Sequence, residues 1–223
     1  MNIKGAIFDM DGTLVDSLSF WEYFWRELGK KYLGINDFSP SKDDDRAVRT
    51  MIMKDAVALI KEKYNFPQSV DELFKFTMDL IKYFYREIVK EKLGATELLD
   101  YLKDKGIKIC LATATDMENV LIAVKSCDLE KYFSFMITCA DVGKGKDSPD
   151  IYIKAIEKLG LEKDEVCVFE DSFVALETAK KLGTKTIGIF DKFNYGQDRL
   201  KGASDFYLEE GNSLAILKEV VIG

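Results

Sequence analysis

Short apolar runs of strand length, amphipathic helical stretches between them, and one long interval with only helical periodicity predict an α/β protein. The expected architecture is a doubly wound parallel sheet with an inserted α-helical domain. The runs are Ile3 to Phe8, Ile107 to Ala112, Phe133 to Cys139, Val166 to Phe169 and Thr186 to Phe190. Each is nearly continuous in apolar residues rather than alternating, as expected of strands covered on both faces. Strands that alternate with helices make parallel sheets, because parallel neighbours need a crossover and that crossover is usually a helix.

The first strand runs into Asp9-Met10-Asp11-Gly12, and the interval from there to Ile107 is too long for one crossover helix. Phe20, Phe24, Leu28 and Tyr32 recur at helical spacing, flanked by Trp21 and Trp25. Val48, Ile52, Ala56 and Ile60 repeat the pattern. Ser69-Val70-Asp71-Glu72 then reads as a capping box before a third helix through Phe84 and Ile88. Residues 16–85 are therefore expected to form a helical insert, and residues 1–15 with 86–223 an α/β core. An insert leaving strand 1 at its carboxyl end emerges where open sheets bind ligands, so a cap over that edge is expected. Ser39-Pro40-Ser41 with Asp43-Asp44-Asp45 reads as an exposed loop running into a solvated helix start. In the second half, Ser148 is the expected N-cap, and Pro149 the first-turn residue, of a helix reaching Leu159. Gly106, Gly160 and Gly183 fall where helices should stop.

The 223 residues are 47% hydrophobic and 32% charged with 3 prolines, which supports a folded core and excludes a disordered chain. The longest stretch free of Asp, Glu, Lys and Arg, Tyr132 to Ala140, is nine residues. A bilayer-spanning helix needs roughly 20. The amino terminus reaches Asp9 without an apolar signal core, so a cytoplasmic protein is expected. A net charge of -7 opposes broad affinity for nucleic acid or anionic membrane, while leaving a local phosphate site open. There is no histidine, which excludes Ser-His-Asp and Cys-His nucleophiles and His-ligated zinc. Cys110, Cys127, Cys139 and Cys167 lie far apart, with no CxxC spacing, and read as reduced thiols packed as small hydrophobes.

The chemistry must therefore rest on carboxylates, lysine and hydroxyls. Strand 1 delivers two acids, Asp9 and Asp11, to its carboxyl edge. An Asp-Gly pair between apolar runs can also mark a hairpin, but the residues after Leu14 have helical and not strand periodicity. Unpaired acids at the end of a buried strand are costly unless a cation compensates them.

Asp9-Met10-Asp11-Gly12-Thr13 resembles the first motif, DxDG[TV], of the haloacid dehalogenase-like hydrolase superfamily, and three further motifs come after it in order. Leu111-Ala112-Thr113-Ala114-Thr115 matches the second at Thr113. Lys146-Asp147-Ser148-Pro149-Asp150 looks like the Lys-x-x-Pro-Asp form of the third, which selects Lys146 over Lys144. Val168-Phe169-Glu170-Asp171-Ser172 is similar to the acidic fourth. The resemblance covers essentially the whole chain. It implies a Rossmann-like core with a C1-type cap, as in the phosphoglycolate phosphatase and β-phosphoglucomutase branch.

The resemblance further implies a Mg2+-dependent phosphatase acting on a small phosphorylated metabolite through an aspartyl-phosphate. Asp9 is then the nucleophile and Asp11 the general acid and base. Mg2+ is held by Asp9, Asp171 and the Asp11 backbone carbonyl, with Glu170 direct or through water. Thr113, Ala114 and Lys146 hold the phosphoryl oxygens. These roles agree with the charges: Mg2+ prefers hard oxygen ligands, and phosphoryl transfer is mostly positioning and charge stabilisation. In the insert, Trp21 and Lys54 are the candidate substrate contacts. Trp21 stands about where mutases of this branch carry a histidine, and Asp116-Met117 where they tend to carry Lys-Asn, so hydrolysis is favoured over sugar-phosphate mutase transfer. A non-catalytic phosphometabolite-binding regulator is the alternative of another class. A monomer or homodimer is expected, with neither nucleic acid nor membrane as partner.

Overall fold

The computed structural model describes residues 1–49 and 51–221. Among them the chain forms two compact units, Ser19–Ile88 and a second made of Met1–Leu18 with the chain from Val89 onward.

The second unit holds one sheet of six parallel strands: β1 (Gly5–Phe8), β2 (Lys108–Thr113), β3 (Met136–Thr138), β4 (Val166–Glu170), β5 (Lys185–Ile189) and β6 (Phe206–Leu208). Their order, β3-β2-β1-β4-β5-β6, is that of a doubly wound Rossmann-like sheet. β1 is central, and all four of its residues are buried, as the continuous apolar run requires. Phe8 pairs with Leu111 on one side and Phe169 on the other, and the Phe8 and Phe169 rings stack at 4.1 Å. The residues after them, Asp9 and Glu170, fall together at the carboxyl ends of adjacent strands. β6 has no counterpart among the expected strands, because three residues between acidic neighbours, only Leu208 of them buried, make too short an apolar run.

In Ser19–Ile88, α1 (Phe20–Leu28) continues into a wider π-helical turn, Gly29–Leu33, and then come α2 (Lys42–Arg49), α3 (Met53–Tyr64) and α4 (Val70–Tyr83). The Val48 to Ile60 periodicity, expected as one helix, is split between α2 and α3. Ile52, at the extended N-cap of α3, is 76% exposed instead of buried. The capping box at Ser69 forms, with Glu72 N–H donating to the Ser69 hydroxyl at 3.2 Å and Ser69 N–H to the Glu72 carboxylate at 2.8 Å. The acidic run at the start of α2 is not merely solvated. Asp44 accepts from Lys63 and from the Tyr64 hydroxyl, and Asp45 accepts from Trp25 Nε1 at 2.8 Å and Arg49 Nε at 2.7 Å.

The sheet is flanked by α5 (Ala95–Asp104), α6 (Met117–Ser126), α7 (Asp150–Leu159), α8 (Phe173–Leu182), α9 (Gln197–Ala203) and α10 (Lys218–Val221). α7 begins one residue later than expected. Pro149 is its N-cap and Ser148 lies outside it, its hydroxyl turned to the Asp150 carboxylate. Gly160 and Gly183 end α7 and α8 in the left-handed conformation. The four cysteines are free thiols. Among the described residues no helix is long and apolar enough to cross a membrane.

Candidate active site

In a sheet of this order the connections from β1 and β4 leave in opposite directions, and the crevice between their carboxyl ends is the preferred ligand position. Asp9 comes directly after β1 there, its N–H donating to the Phe169 carbonyl of β4 at 3.0 Å. Glu170 ends β4 and Asp171 comes next. All three acids are buried, and one carboxylate oxygen from each lies within 4.8 Å of the others.

Lys146, in the loop ahead of α7, reaches into this cluster. Its Nζ donates to Asp9 Oδ1 and, at 2.5 Å, to Glu170 Oε1. Glu170 is fixed on its other sides by the Tyr152 hydroxyl of α7 at 3.2 Å and by Ser172 N–H, which donates to Oε2 at 3.2 Å. Burial opposes the lysine's charge, yet the two carboxylates hold its pKa well above the ordinary value. Burial and Glu170 push the Tyr152 hydroxyl far up, so it stays a donor. Lys144, by contrast, is exposed and pairs with Asp150 at 3.2 Å.

The first-motif loop is closed on itself and on Asp171. Leu14 and Val15 N–H donate to the Met10 carbonyl at 2.9 and 3.1 Å. Gly12 has φ +77°, and a Cβ there would stand 2.1 Å from Asp171 Oδ2, so the loop's approach to Asp171 requires glycine. The Asp11 carboxylate accepts from the Ser17 hydroxyl at 2.6 Å through Oδ1 and from the Thr115 hydroxyl at 2.6 Å through Oδ2. Thr113, buried at the end of β2, accepts Thr115 N–H at 3.1 Å, which leaves its hydroxyl proton to donate elsewhere. Ala114 is exposed beside it.

Asp171 accepts from the Thr13 hydroxyl at 3.3 Å through Oδ1, and Asn194 Nδ2 donates to Oδ2 and, at 3.1 Å, to the Asp171 main-chain carbonyl. Burial, with Asp9 and Glu170 nearby, holds the Asp171 carboxyl well above the usual carboxylate range. Burial also pushes Asp9 up to about 8, against the pull of Lys146. Of the three buried acids, Lys146 thus pairs with Asp9 and Glu170 and, among the described residues, leaves Asp171 without an ammonium in contact. The charge imbalance and the all-oxygen donor set fit a hard divalent cation such as Mg2+.

The core residues singled out from sequence, Asp9, Asp11, Thr113, Ala114, Lys146, Glu170 and Asp171, are thus brought to one sheet edge. Ser17, Tyr152 and Asn194 also belong to this cluster, and no sequence motif marks them; Thr115, inside the second motif but given no role from sequence, joins them. Asn194 was findable in principle, since it lies beyond the carboxyl end of β5. In the helical unit, Trp21 is half-buried and meets Phe20 and Phe24 edge-on, with the Arg49 guanidinium 5.9 Å from its ring centre. Lys54 is exposed, with its Nζ 3.2 Å from Asp71.

The sheet order and this cluster place three buried carboxylates and a lysine at the preferred ligand position of a doubly wound α/β fold. A model of the haloacid dehalogenase-like hydrolases matches residues 3–183, and the chain belongs to that family. It is 30% identical over 221 residues to the phosphorylated carbohydrates phosphatase of Thermotoga maritima, covering 98% of this chain and 100% of that one. It is 26% identical to pyrophosphatase PpaX of Anoxybacillus flavithermus, covering 96% of each. A solved Thermotoga maritima structure, provisionally described as a beta-phosphoglucomutase, matches with a TM-score of 0.85 at 30% identity, covering 98% of this chain and 100% of that one.

Proposed function

We propose that the chain is a cytoplasmic Mg2+-dependent phosphoric monoester hydrolase for a small phosphorylated carbohydrate or related metabolite, working through an aspartyl-phosphate. The observation that carries this reading is the set of three buried carboxylates at the switch point of the sheet, two of which, Asp9 and Glu170, accept from the ammonium of Lys146. Mg2+, held by Asp9, Asp171 and the Asp11 main-chain carbonyl, with Glu170 direct or through water, would neutralise charge on the nucleophile and the phosphoryl oxygens. It would also keep Asp9 ionised near neutrality, where burial, outweighing the pull of Lys146, leaves its pKa at about 8.

An Asp9 carboxylate oxygen attacks phosphorus, the bond from phosphorus to the ester oxygen breaks, and Asp11 gives its proton to the leaving alkoxide. A water oxygen then attacks the same phosphorus while Asp11 takes a proton from that water. The bond to Asp9 breaks and inorganic phosphate leaves. Lys146, the Thr113 hydroxyl and backbone N–H groups beside Ala114 stabilise the phosphoryl oxygens throughout. Ser17 and Thr115 hold Asp11 for its two proton transfers.

A panel of sugar phosphates, pyrophosphate and an aryl phosphate, assayed with Mg2+ and with excess chelator, tests the reading. Turnover should vanish in chelator, and Asp9→Asn should retain less than about a hundredth of kcat, a barrier rise above ~2.7 kcal/mol. Undiminished turnover in chelator overturns the metal assignment. A mutase outcome is supported by the likeness to the solved Thermotoga maritima structure. The negative charge of Asp116, exposed at the N-cap of α6 where a second phosphate would need a cation, favours hydrolysis. Glucose 6-phosphate forming faster than inorganic phosphate, from β-glucose 1-phosphate with catalytic 1,6-bisphosphate, would reverse that choice.

A further inference from the structure

The loop from Asp191 to Gly196, between β5 and α9, is organised around buried polar contacts that none of the catalytic steps uses. Asp191 is 3% exposed. Its Oδ2 accepts from Lys92 Nζ at 2.7 Å, its Oδ1 from Phe193 N–H at 2.9 Å, and its main-chain carbonyl from Asn194 N–H at 3.1 Å and Gln197 Nε2 at 2.9 Å. Gln197 Nε2 also reaches the Asn194 carbonyl at 3.2 Å, and its own Oε1 accepts from the Tyr207 hydroxyl at 2.9 Å. Gly196 closes the loop at φ +75°, where a Cβ would stand 2.6 Å from the Phe173 ring. Lys92 ahead of α5 and Tyr207 on β6 therefore clamp one short loop from two sides.

The Asn194 side chain leaves this clamp. Its amide nitrogen donates to both the carboxylate and the main-chain carbonyl of Asp171. Both targets are acceptors, so the amide must present nitrogen, and gripping two atoms of one residue restricts the rotation of that side chain. With Thr13 on Oδ1 and Gly12 packed against Oδ2, the amide completes a cage around the carboxylate. We propose that Asn194 is a positioning residue that presets the Asp171 carboxylate for the divalent cation, with Gln197 and the Lys92–Asp191 pair holding the loop that carries it. The proposal rests on the reading of Asp171 as a Mg2+ ligand. Its physical basis is general: groups that hydrogen-bond to metal ligands fix their orientation, and losing one typically costs ~10- to 100-fold in metal affinity.

The experiment is calorimetric titration of the substrate-free protein with MgCl2, beside kcat and half-saturating Mg2+ in the phosphatase assay. Asn194→Ala should raise the Mg2+ Kd about 10- to 100-fold, with a matching rise in the half-saturating Mg2+ of the assay. Asn194→Ser, which keeps a shorter donor, should fall between, and Gln197→Leu should weaken Mg2+ binding less than Asn194→Ala. Lys4→Ala, which removes the exposed pair with Glu165 ahead of β1 and β4, should leave the Kd unchanged. An unchanged Kd in Asn194→Ala overturns the proposal, as does a lowered melting temperature or kcat without a change in Kd. If the unsubstituted protein itself takes up no Mg2+, the metal assignment falls with it, and that titration alone distinguishes the two failures.

Discussion

The strand-end cluster and the helical unit are held by opposite kinds of interaction. At the carboxyl edge of the sheet, buried charges meet in small numbers, and each is fixed by hydrogen bonds from several elements: Glu170 by Lys146, Tyr152 and Ser172, and Asp171 by Thr13 and Asn194. In the helical unit, aromatic rings pack edge to face, as in Trp25 with Tyr64 at 5.9 Å and Tyr32 with Phe76 at 5.2 Å. Ring packing is broadly favourable and tolerates small displacements. A buried charge that loses its partner is penalised at once. The cluster is therefore the part of the molecule where buried charge is held at a cost to stability, and the helical unit a part where ring packing adds to it.

The contrast is sharpest at Lys146, whose side chain is 10% exposed between Asp9 and Glu170 at 9% and 1%. Lys146→Met keeps the volume and removes the cation, leaving two buried carboxylates without it. We expect a loss of about 3–5 kcal/mol in stability near neutral pH, together with loss of turnover. The loss should shrink as pH falls through about 8, because the Asp9 carboxyl, pushed up by burial, then takes up a proton. Denaturant unfolding at several pH values measures it, and a cost independent of pH would contradict the charge argument.

A second test uses the same imbalance. The Asp9 carboxyl is raised from 3.8 to about 8, chiefly by burial. A raised folded-state value means that this group's contribution to stability is present at low pH and is lost as pH rises toward about 8. Mg2+ competes with the proton for the carboxylate, so the stabilisation it adds should grow across this interval, by at most ~1.4 kcal/mol per pH unit for one displaced proton. The rise in melting temperature on adding saturating MgCl2 should therefore be small near about pH 5.5 and larger near about pH 8. A rise that does not vary with pH would mean that the metal displaces no proton.

The two regions also differ in how much of them the sequence carried. Asp9, Thr113 and Glu170 each lie at the end of a buried apolar run, so the hydrophobic pattern that locates the strand also locates the acid or hydroxyl at its end. Asn194 sits in a loop with no periodicity, and its partner Asp171 is 23 residues away, a pairing made by the order of β4 and β5 and not by local spacing. β6 was invisible for the reason that it is three residues long between acidic neighbours. In the helical unit the spacing of Val48, Ile52, Ala56 and Ile60 was real, but periodicity does not register a break between two helices of similar phase. Ile52 consequently lies exposed where the pattern would bury it.

The smallest expected effect is in the helical unit, at Trp25. Its ring is buried among Phe24, Phe38 and Tyr64, and its Nε1 donates to Asp45 at 2.8 Å. Trp25→Phe keeps an aromatic ring in contact and removes that one donor. Asp45 still holds Arg49 through its other oxygen, so the acid is not stranded as Asp9 would be without Lys146. The cost should be near ~1 kcal/mol, the usual net worth of a hydrogen bond, though bonds to charged groups reach higher. For a chain of this size that lowers the melting temperature by ~2–4 °C. The Kd for Mg2+, set by residues of the other unit, should not move. A melting temperature lowered far beyond this range would show that ring packing in the helical unit tolerates exchange no better than the buried charges do, and the contrast between the two regions would collapse.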